Sequence, residues 1–237
     1  SIAKEHDLFV LEDAAQAFLA KYKGKYLGTF GDLAAISFHE TKNIISGEGG
    51  AILINNLKFK ELSEIVWEKG TNRNKFLRGE VDKYTWVSLG SSYLPSEAVA
   101  AFLYAQFEKS EQIINKRKKI WNKYHKELQQ LEKDEYIRRP IIPEGSQHNG
   151  HIYGIFLKDL ITRTKMIEFL KKRGVLAVFH YIPLHSSPAG KKFGRVGTKM
   201  AVTNKVANTI LRLPLYYDMT NKDVEYVVNS VKDFFGK

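Results

Sequence analysis

Short apolar runs bounded by polar residues and glycine mark the first third of the chain. Leu8-Phe9-Val10-Leu11, Leu33-Ala34-Ala35-Ile36 and Ala51-Ile52-Leu53-Ile54 are too short for helices and lack polar alternation. That is the pattern of strands buried on both faces of an α/β sheet. Between the second and third runs lies the polar stretch Ser37-Phe38-His39-Glu40-Thr41-Lys42-Asn43, with Gly47-Glu48-Gly49-Gly50 behind it. Residues 22–29, with Gly24 near their start, predict a hairpin with a glycine turn. Residues 58–69 place Phe59, Leu62, Ile65 and Val66 at helical spacing, and Gly70 ends that helix. Residues 71–93 predict a long ordered loop, polar, aromatic and punctuated by glycine.

Pro95-Ser96-Glu97 opens a long helix whose apolar positions recur from Val99 to Leu131. Its polar break at Lys109-Ser110-Glu111 predicts a kink or a domain crossing. A small α/β unit follows from about residue 134. Strands are expected at 152–157 and 175–179, helices at 162–170 and 199–208, an extended segment at 211–213 and a last helix at 221–235. The resulting expectation is two domains, residues 1–108 and 109–237.

Composition narrows the classes. The 237 residues are 43% hydrophobic, enough for a buried core. There is no cysteine, which excludes a disulfide scaffold and a thiolate metal site. No apolar run approaches bilayer length, and Ser1-Ile2-Ala3-Lys4-Glu5-His6 lacks a signal-peptide pattern. A cytoplasmic address is therefore expected. The net charge of +11 would suit a polyanionic partner. Its clusters, Lys116-Arg117-Lys118-Lys119, Lys171-Lys172-Arg173 and Lys191-Lys192, are scattered and lack interleaved aromatics. Neither a nucleic-acid nor a membrane partner is expected.

Candidate chemistry sits at the strand ends. Asp13 closes the first apolar run, and an acid at the carboxyl end of a parallel strand points into the ligand crevice of an α/β sheet. Lys42 lies in the loop between the next two runs and is a candidate amine nucleophile. A carboxylate plus a loop lysine, each at the end of a core strand, is the pair that pyridoxal 5'-phosphate needs: one to form a Schiff base, one to keep the pyridine nitrogen protonated. Ser37 is a candidate phosphate ligand. His39 reads as support for the loop, and the glycines allow tight backbone near a cofactor. The spacing Gly-x-Gly-x-x-Gly of a dinucleotide site is absent. His180 and His185 lack companions at ligand spacing, so no metal is expected.

The strings Glu-Asp-Ala-Ala-Gln, Ser-Phe-His-Glu-Thr-Lys-Asn and Gly-Glu-Gly-Gly-Ala resemble the DegT/DnrJ/EryC1/StrS sugar aminotransferases. The resemblance continues through Glu68-Lys69-Gly70-Thr71-Asn72-Arg73, Gly90-Ser91-Ser92-Tyr93-Leu94, His180-Tyr181-Ile182-Pro183-Leu184-His185 and Leu211-Arg212-Leu213-Pro214-Leu215. It covers nearly the whole chain in one order. It implies an α/β fold-type I pyridoxal-phosphate transferase, here part of the large domain plus the small carboxy-terminal domain. It further implies a homodimer that moves an amino group from glutamate to a nucleotide-linked 4-keto-6-deoxy sugar in lipopolysaccharide, O-antigen or common-antigen synthesis. By resemblance, Asp13, Gln16, Ser37 and Lys42 hold the cofactor. Asn72, Arg73, Tyr84, His180, Tyr181 and His185 line the sugar-nucleotide side. One departure concerns Tyr93-Leu94. Many members carry asparagine after the tyrosine to reach the partner's phosphate, and leucine cannot donate. Ser91 or Ser92 would have to replace it.

Three alternatives accompany this reading: a 3-keto sugar aminotransferase, a sugar dehydratase of the same fold, and a non-catalytic sugar-nucleotide-binding piece. The dehydratases normally have histidine in place of the lysine, so Lys42 argues against the second. The chain begins directly before the strand that ends at Asp13, whereas the resembling enzymes have about a third of their length before that point. The expectation is a carboxy-terminal fragment that is inactive alone.

Overall fold

The two runs that flank the lysine stretch pair with each other, and the run ending at Asp13 joins them. In the computed structural model, which describes residues 2–237, helix α1 (Ile2–Glu5) leads into strand β1 (Leu11–Asp13). Strands β4 (Leu33–Ser37) and β5 (Gly50–Ile54) complete a sheet of order β1-β4-β5. Strand β1 runs parallel to β4 with Asp13 opposite Ala35, and β5 runs antiparallel with Gly50 opposite Ser37.

A second small sheet begins with β2 (Lys21–Tyr22) and β3 (Lys25–Tyr26). The two-residue turn between them is Lys23-Gly24, both at positive φ (48° and 80°). That is the turn whose twist suits a hairpin, and glycine takes its second place without steric cost.

The chain folds as two units, residues 1–113 with 145–149, and residues 114–144 with 150–237. In the first, helix α2 (Lys60–Trp67) ends at Lys69 and Gly70, both left-handed. Residues 71–93 contain a short helix α3 (Arg73–Leu77). Ser96 caps helix α4 (Glu97–Glu108) through the Val99 amide. The expected polar break is real: α4 stops, and α5 (Ser110–Glu127) starts beyond Lys109. Ala14, Ala34, Ile36, Phe38, Ile44 and Ile113 form the core of this unit. The Phe38 ring meets Phe18 and Phe107 edge to face, at 6.0 and 5.3 Å between centroids.

One sequence expectation fails here. Leu8, Phe9, Val10 and Leu11 are 40–66% exposed, and Ile52 is 52% exposed. Only one face of the β1-β4-β5 sheet is packed. The apolar pattern registers a demand for burial without stating what supplies it.

In the second unit α5 continues into α6 (Gln129–Lys133). After the short strand β6 (Ser146–Gln147), which pairs with β2 in the first unit, strand β7 (Tyr153–Phe156) opens the second unit's sheet. That sheet is antiparallel, of order β7-β9-β8, with β8 (Val178–Phe179) and β9 (Ile210–Leu213). Helices α7 (Leu160–Lys172), α8 (Pro188–Phe193), α9 (Ala201–Thr209) and α10 (Asn221–Phe234) complete it. Asp159 caps α7. A capping box of Thr220 and Asp223 starts α10, satisfying two amides that would otherwise lack partners. Tyr124, Leu128, Tyr153, Ile155, Met166, Leu170, Leu211 and Val228 are fully buried between sheet and helices.

Arg117 is also buried. Its guanidinium donates to the carbonyls of Gly150, His151 and Leu215, and burial brings its pKa down to about 10. Gly150 has φ +64°, and a Cβ there would lie 2.8 Å from the Arg117 carbonyl carbon, so no other residue fits.

Charge divides unevenly between the units. The first holds 13 Lys and Arg against 15 Asp and Glu; the second holds 24 against 11, so the net +11 is −2 in one unit and +13 in the other. Between Glu168 and Asp218 there is no acid at all.

The turn that closes the lysine-bearing sheet depends on Glu12. Its carboxylate accepts from the amides of Gly28, Phe30 and Gly31 at 2.8, 2.6 and 2.6 Å. Partial burial pushes its pKa up, but these three donors and Lys25 outweigh it and hold the group below the usual carboxylate range. A depressed folded pKa gives stability that is present above the unfolded value of about 4.3 and is lost as pH falls through the folded one. Glu12→Gln should therefore lower stability at pH 7 by about 1–3 kcal/mol, with the gap to wild type closing in acid as the Glu12 carboxylate takes up its proton. Thermal melts at pH 7 and in acid check this; an equal gap at each would show that the charge does not anchor the turn.

Candidate active site

Parallel register decides which side chains share a face. Asp13 lies opposite Ala35, and Ser37 follows Ala35 by two residues, so all three project from the same side of the sheet. Gly50 and Ile52, opposite Ser37 and Ala35, extend that side. It is the open face. The other face carries Ala34 and Ile36 into the core. The site is thus a platform on which a carboxylate and a hydroxyl at adjoining strand ends have small neighbours, Ala35 opposite the first and Gly50 opposite the second.

Asp13 Oδ1 accepts from the Ala15 amide at 3.1 Å, which leaves Oδ2 available. Among the described residues no cation pairs with it. The Ala14 amide donates to Ala35 O at 3.0 Å and Ala17 to Ala14 O at 2.9 Å, so the chain turns sharply after Asp13 and brings Gln16 beside the strand end. The Gln16 side chain is exposed.

The lysine loop, residues 38–49, is tied across itself. Phe38 donates to Gly49 O, Glu40 to Gly47 O and Ser46 to Phe38 O, at 2.9, 2.8 and 2.7 Å. Ser37 Oγ accepts from the His39 amide at 3.3 Å. The His39 Nδ1 accepts from the Thr41 amide at 3.2 Å. The other ring nitrogen, Nε2, faces Glu48 Oε1 at 3.6 Å. Both ring nitrogens thus face other residues of the loop. The Lys42 amide donates to His39 O at 2.9 Å, and its side chain is half-buried. Among the described residues no carboxylate lies within salt-bridge distance of Lys42.

Sequence reasoning missed two side chains here. Asn43 and Asn149 are buried, and Asn43 Nδ2 donates to Asn149 O at 3.0 Å. Asn149 Nδ2 in turn donates to Gln16 O and Phe18 O at 2.8 and 3.0 Å. Asn43 stood inside the quoted lysine motif; nothing local marks Asn149.

Asn72, Arg73 and Tyr84 lie together in the same unit, in the loop after α2. Asn72 Oδ1 accepts from the Thr85 amide at 2.7 Å. Arg73 pairs with the buried Glu68 carboxylate, and that hydrogen bond raises the arginine pKa further. Tyr84 rests against Phe76 at 5.7 Å and is half-exposed. The first two are thus engaged in ordering their own loop.

His180, Tyr181 and His185 belong to the second unit. His180 and Tyr181 line a cavity of about 340 Å³ with Arg163, Ser186, Asn204 and Asn208. Burial and the nearby Arg212 charge lower the His180 pKa, and its Nδ1 is buried without a partner. Arg212 lies over the Tyr181 ring at 5.8 Å. His185 Nε2 donates to Asn204 Oδ1 at 2.9 Å. The described residues contain no cluster of three metal-binding side chains, and none of their helices is long and apolar enough to cross a membrane.

The site thus combines an open sheet face that carries a carboxylate and a hydroxyl with a lysine in the loop that follows. The chain belongs to the DegT/DnrJ/EryC1/StrS aminotransferase family, whose model matches residues 1–232. It is 35% identical over 238 residues to an uncharacterised protein of Methanocaldococcus jannaschii, covering 98% of this chain and 61% of that one. It is 29% identical over 246 residues to UDP-4-amino-4,6-dideoxy-N-acetyl-beta-L-altrosamine transaminase of Campylobacter jejuni, covering 100% and 61%. A crystal structure of a DegT DnrJ EryC1 StrS aminotransferase from Brucella abortus superposes with a TM-score of 0.86 at 26% identity, covering 100% of this chain and 60% of that one. The fold is accordingly the fold-type I α/β fold. The chain spans about 60% of the length of these relatives.

Gly50 tests the platform directly. A Cβ there would lie 2.7 Å from Ile36 O, between β4 and β5 and opposite Ser37. Gly50→Ala should cost about 1–3 kcal/mol of stability by overpacking and weaken uptake of pyridoxal phosphate. Thermal melts with and without cofactor read both; unchanged uptake would remove this part of the sheet from the site.

Proposed function

We propose that the protein carrying this chain is a pyridoxal-phosphate-dependent sugar aminotransferase. The observation that supports it most is the shared open face: Asp13 and Ser37 at neighbouring strand ends, small residues opposite them, and a lysine without a carboxylate partner in the loop that follows. The residues fit the group. Asp13 Oδ2 is free to balance a protonated pyridine nitrogen, the Ser37 hydroxyl suits a phosphate oxygen, and Ala35 and Gly50 leave space for a planar ring. Gln16, just past the turn after Asp13, would lie beside the ring. Lys42 would hold the cofactor through its side-chain amine, and that amine would also serve as the base that takes the proton from the substrate carbon bearing the nitrogen. When bound, the cofactor supplies an electron sink for the carbon that loses its proton.

The net reaction exchanges the amino group of glutamate for the keto oxygen of the sugar, giving 2-oxoglutarate and an amino sugar. The sugar is assigned as dTDP-4-keto-6-deoxyglucose, which would make the protein a dTDP-4-amino-4,6-dideoxygalactose transaminase. Support comes from the form of the lysine loop, Phe-His-Glu-Thr-Lys-Asn, and from the His180–His185 segment. In that segment a cavity has an unpartnered histidine nitrogen and two arginines near it, suited to an anionic, hydroxyl-rich ligand. His180, Tyr181 and His185, with Asn72, Arg73 and Tyr84, are assigned to the sugar-nucleotide side. A homodimer in the cytoplasm is part of the same reading.

Borohydride reduction of the cofactor-loaded protein, followed by peptide mapping, should place the adduct on Lys42; an adduct on another lysine rejects the assignment. Asp13→Asn should keep the fold and lower turnover at least about tenfold, roughly 1.4 kcal/mol of barrier. In a competition with glutamate as donor, the 4-keto sugar nucleotide should be aminated faster than its 3-keto isomer, and the reverse order would overturn the substrate assignment.

A further inference from the structure

The chain makes a five-residue excursion that sequence reading gives no reason for. Residues 145–149 leave the second unit and join the first. They are fixed at their entry, where the Lys23 amide donates to Gly145 O at 2.7 Å and β6 pairs with β2. The excursion ends on one buried polar side chain, Asn149, which is 5% exposed.

Three hydrogen bonds of Asn149 reach segments already assigned to the site. Its Nδ2 carries two hydrogens and places them on two carbonyls, Gln16 O and Phe18 O, just past Asp13. Its own carbonyl accepts from Asn43, the neighbour of Lys42, and Asn43 is itself 7% exposed. Gln16 and Asn43 belong to different strand ends. One residue therefore ties the turn that follows the carboxylate to the loop that carries the lysine. The chemistry of the contact selects asparagine. Serine offers one donor, aspartate offers none, and alanine would leave both carbonyls without these donors.

We propose that Asn149 is a positioning residue that sets the separation of Asp13 and Lys42. The proposal rests on the reading of Lys42 as the cofactor-holding lysine. Its effect should be on orientation: a slackened clamp lets the amine and the carboxylate drift apart, and transfer rates are sensitive to displacements of about 1 Å.

The test, made in the full-length protein that carries this chain, compares Asn149→Ala and Asn149→Asp with wild type, with Gln147→Ala, exposed on the same short strand, and with Val228→Ala, a core cavity in the second unit. Hydrogen exchange without cofactor is read over residues 13–20 and 38–48. Both Asn149 variants should speed exchange at least about tenfold in these two segments together, while Gln147→Ala leaves them as in wild type and Val228→Ala speeds exchange chiefly in its own unit. With cofactor, the pH midpoint of the lysine-linked absorbance band should move by at least half a unit. The kcat should fall at least tenfold, with KM for the keto sugar changed less than threefold. Asn149 variants that melt earlier yet keep wild-type exchange in residues 38–48 and a wild-type midpoint would overturn the proposal and leave Asn149 a packing residue. If peptide mapping places the cofactor on another lysine, the reading of Lys42 falls. The exchange experiment then still decides whether the clamp exists.

Discussion

Everything in the candidate site depends on the parallel pairing of β1 with β4. The register that sets Asp13 opposite Ala35 is what puts a carboxylate and the Ser37 hydroxyl on one face. A slip of one residue between the two strands would leave the carboxylate and the hydroxyl on opposite faces of the sheet. Two features hold the register. The Ala14 amide extends the ladder by one bond to Ala35 O. Glu12, on the opposite face from Asp13, is fixed by three amides of the turn leading into β4. The two adjacent acids thus have opposite tasks, one anchoring the strand and one left free for chemistry.

Much of this was legible in the sequence because strand ends are punctuated. Glycines and polar residues bracket short apolar runs, so Asp13, Ser37 and Lys42 could be assigned to strand ends before any coordinate was known. The hairpin at Lys23-Gly24, the break at Lys109 and the last helix follow from equally local signals: a glycine turn, a polar interruption and helical spacing. Side-chain satisfaction over long range was not legible. Asn149 lies 106 residues from Asn43 and has no periodicity or motif to mark it. Arg117 read as one member of a basic cluster, yet it is buried and spends its donors on backbone carbonyls. The exposure of Leu8 to Leu11 was equally hidden, because hydrophobicity does not name the partner.

The loop after α2 shows how function and order share residues. Asn72 and Arg73, assigned above to the sugar-nucleotide side, are both used internally, on Thr85 and Glu68. Burying Glu68 is tolerable only because a guanidinium neutralises it. Any contact that Arg73 makes with a ligand must come from donors that Glu68 leaves over, so the arginine would reach a ligand as part of an ordered ion pair. Tyr84, half-exposed beside Phe76, is near enough to the arginine to act on its charge.

The uneven division of charge means that an isoelectric point near 9.5 describes neither unit. In a crowded solution the first unit is close to electrically silent. The second behaves as a polycation whose 49 residues between Glu168 and Asp218 have no acid to oppose their nine cations. Adhesion to any polyanion present will therefore be governed by the second unit. It will weaken steeply with salt once screening shortens to about 8 Å, and it will respond to mutation in one half of the chain only. Adding a few acids between those residues would change how the protein behaves as a colloid and leave the platform that holds Asp13 and Lys42 untouched.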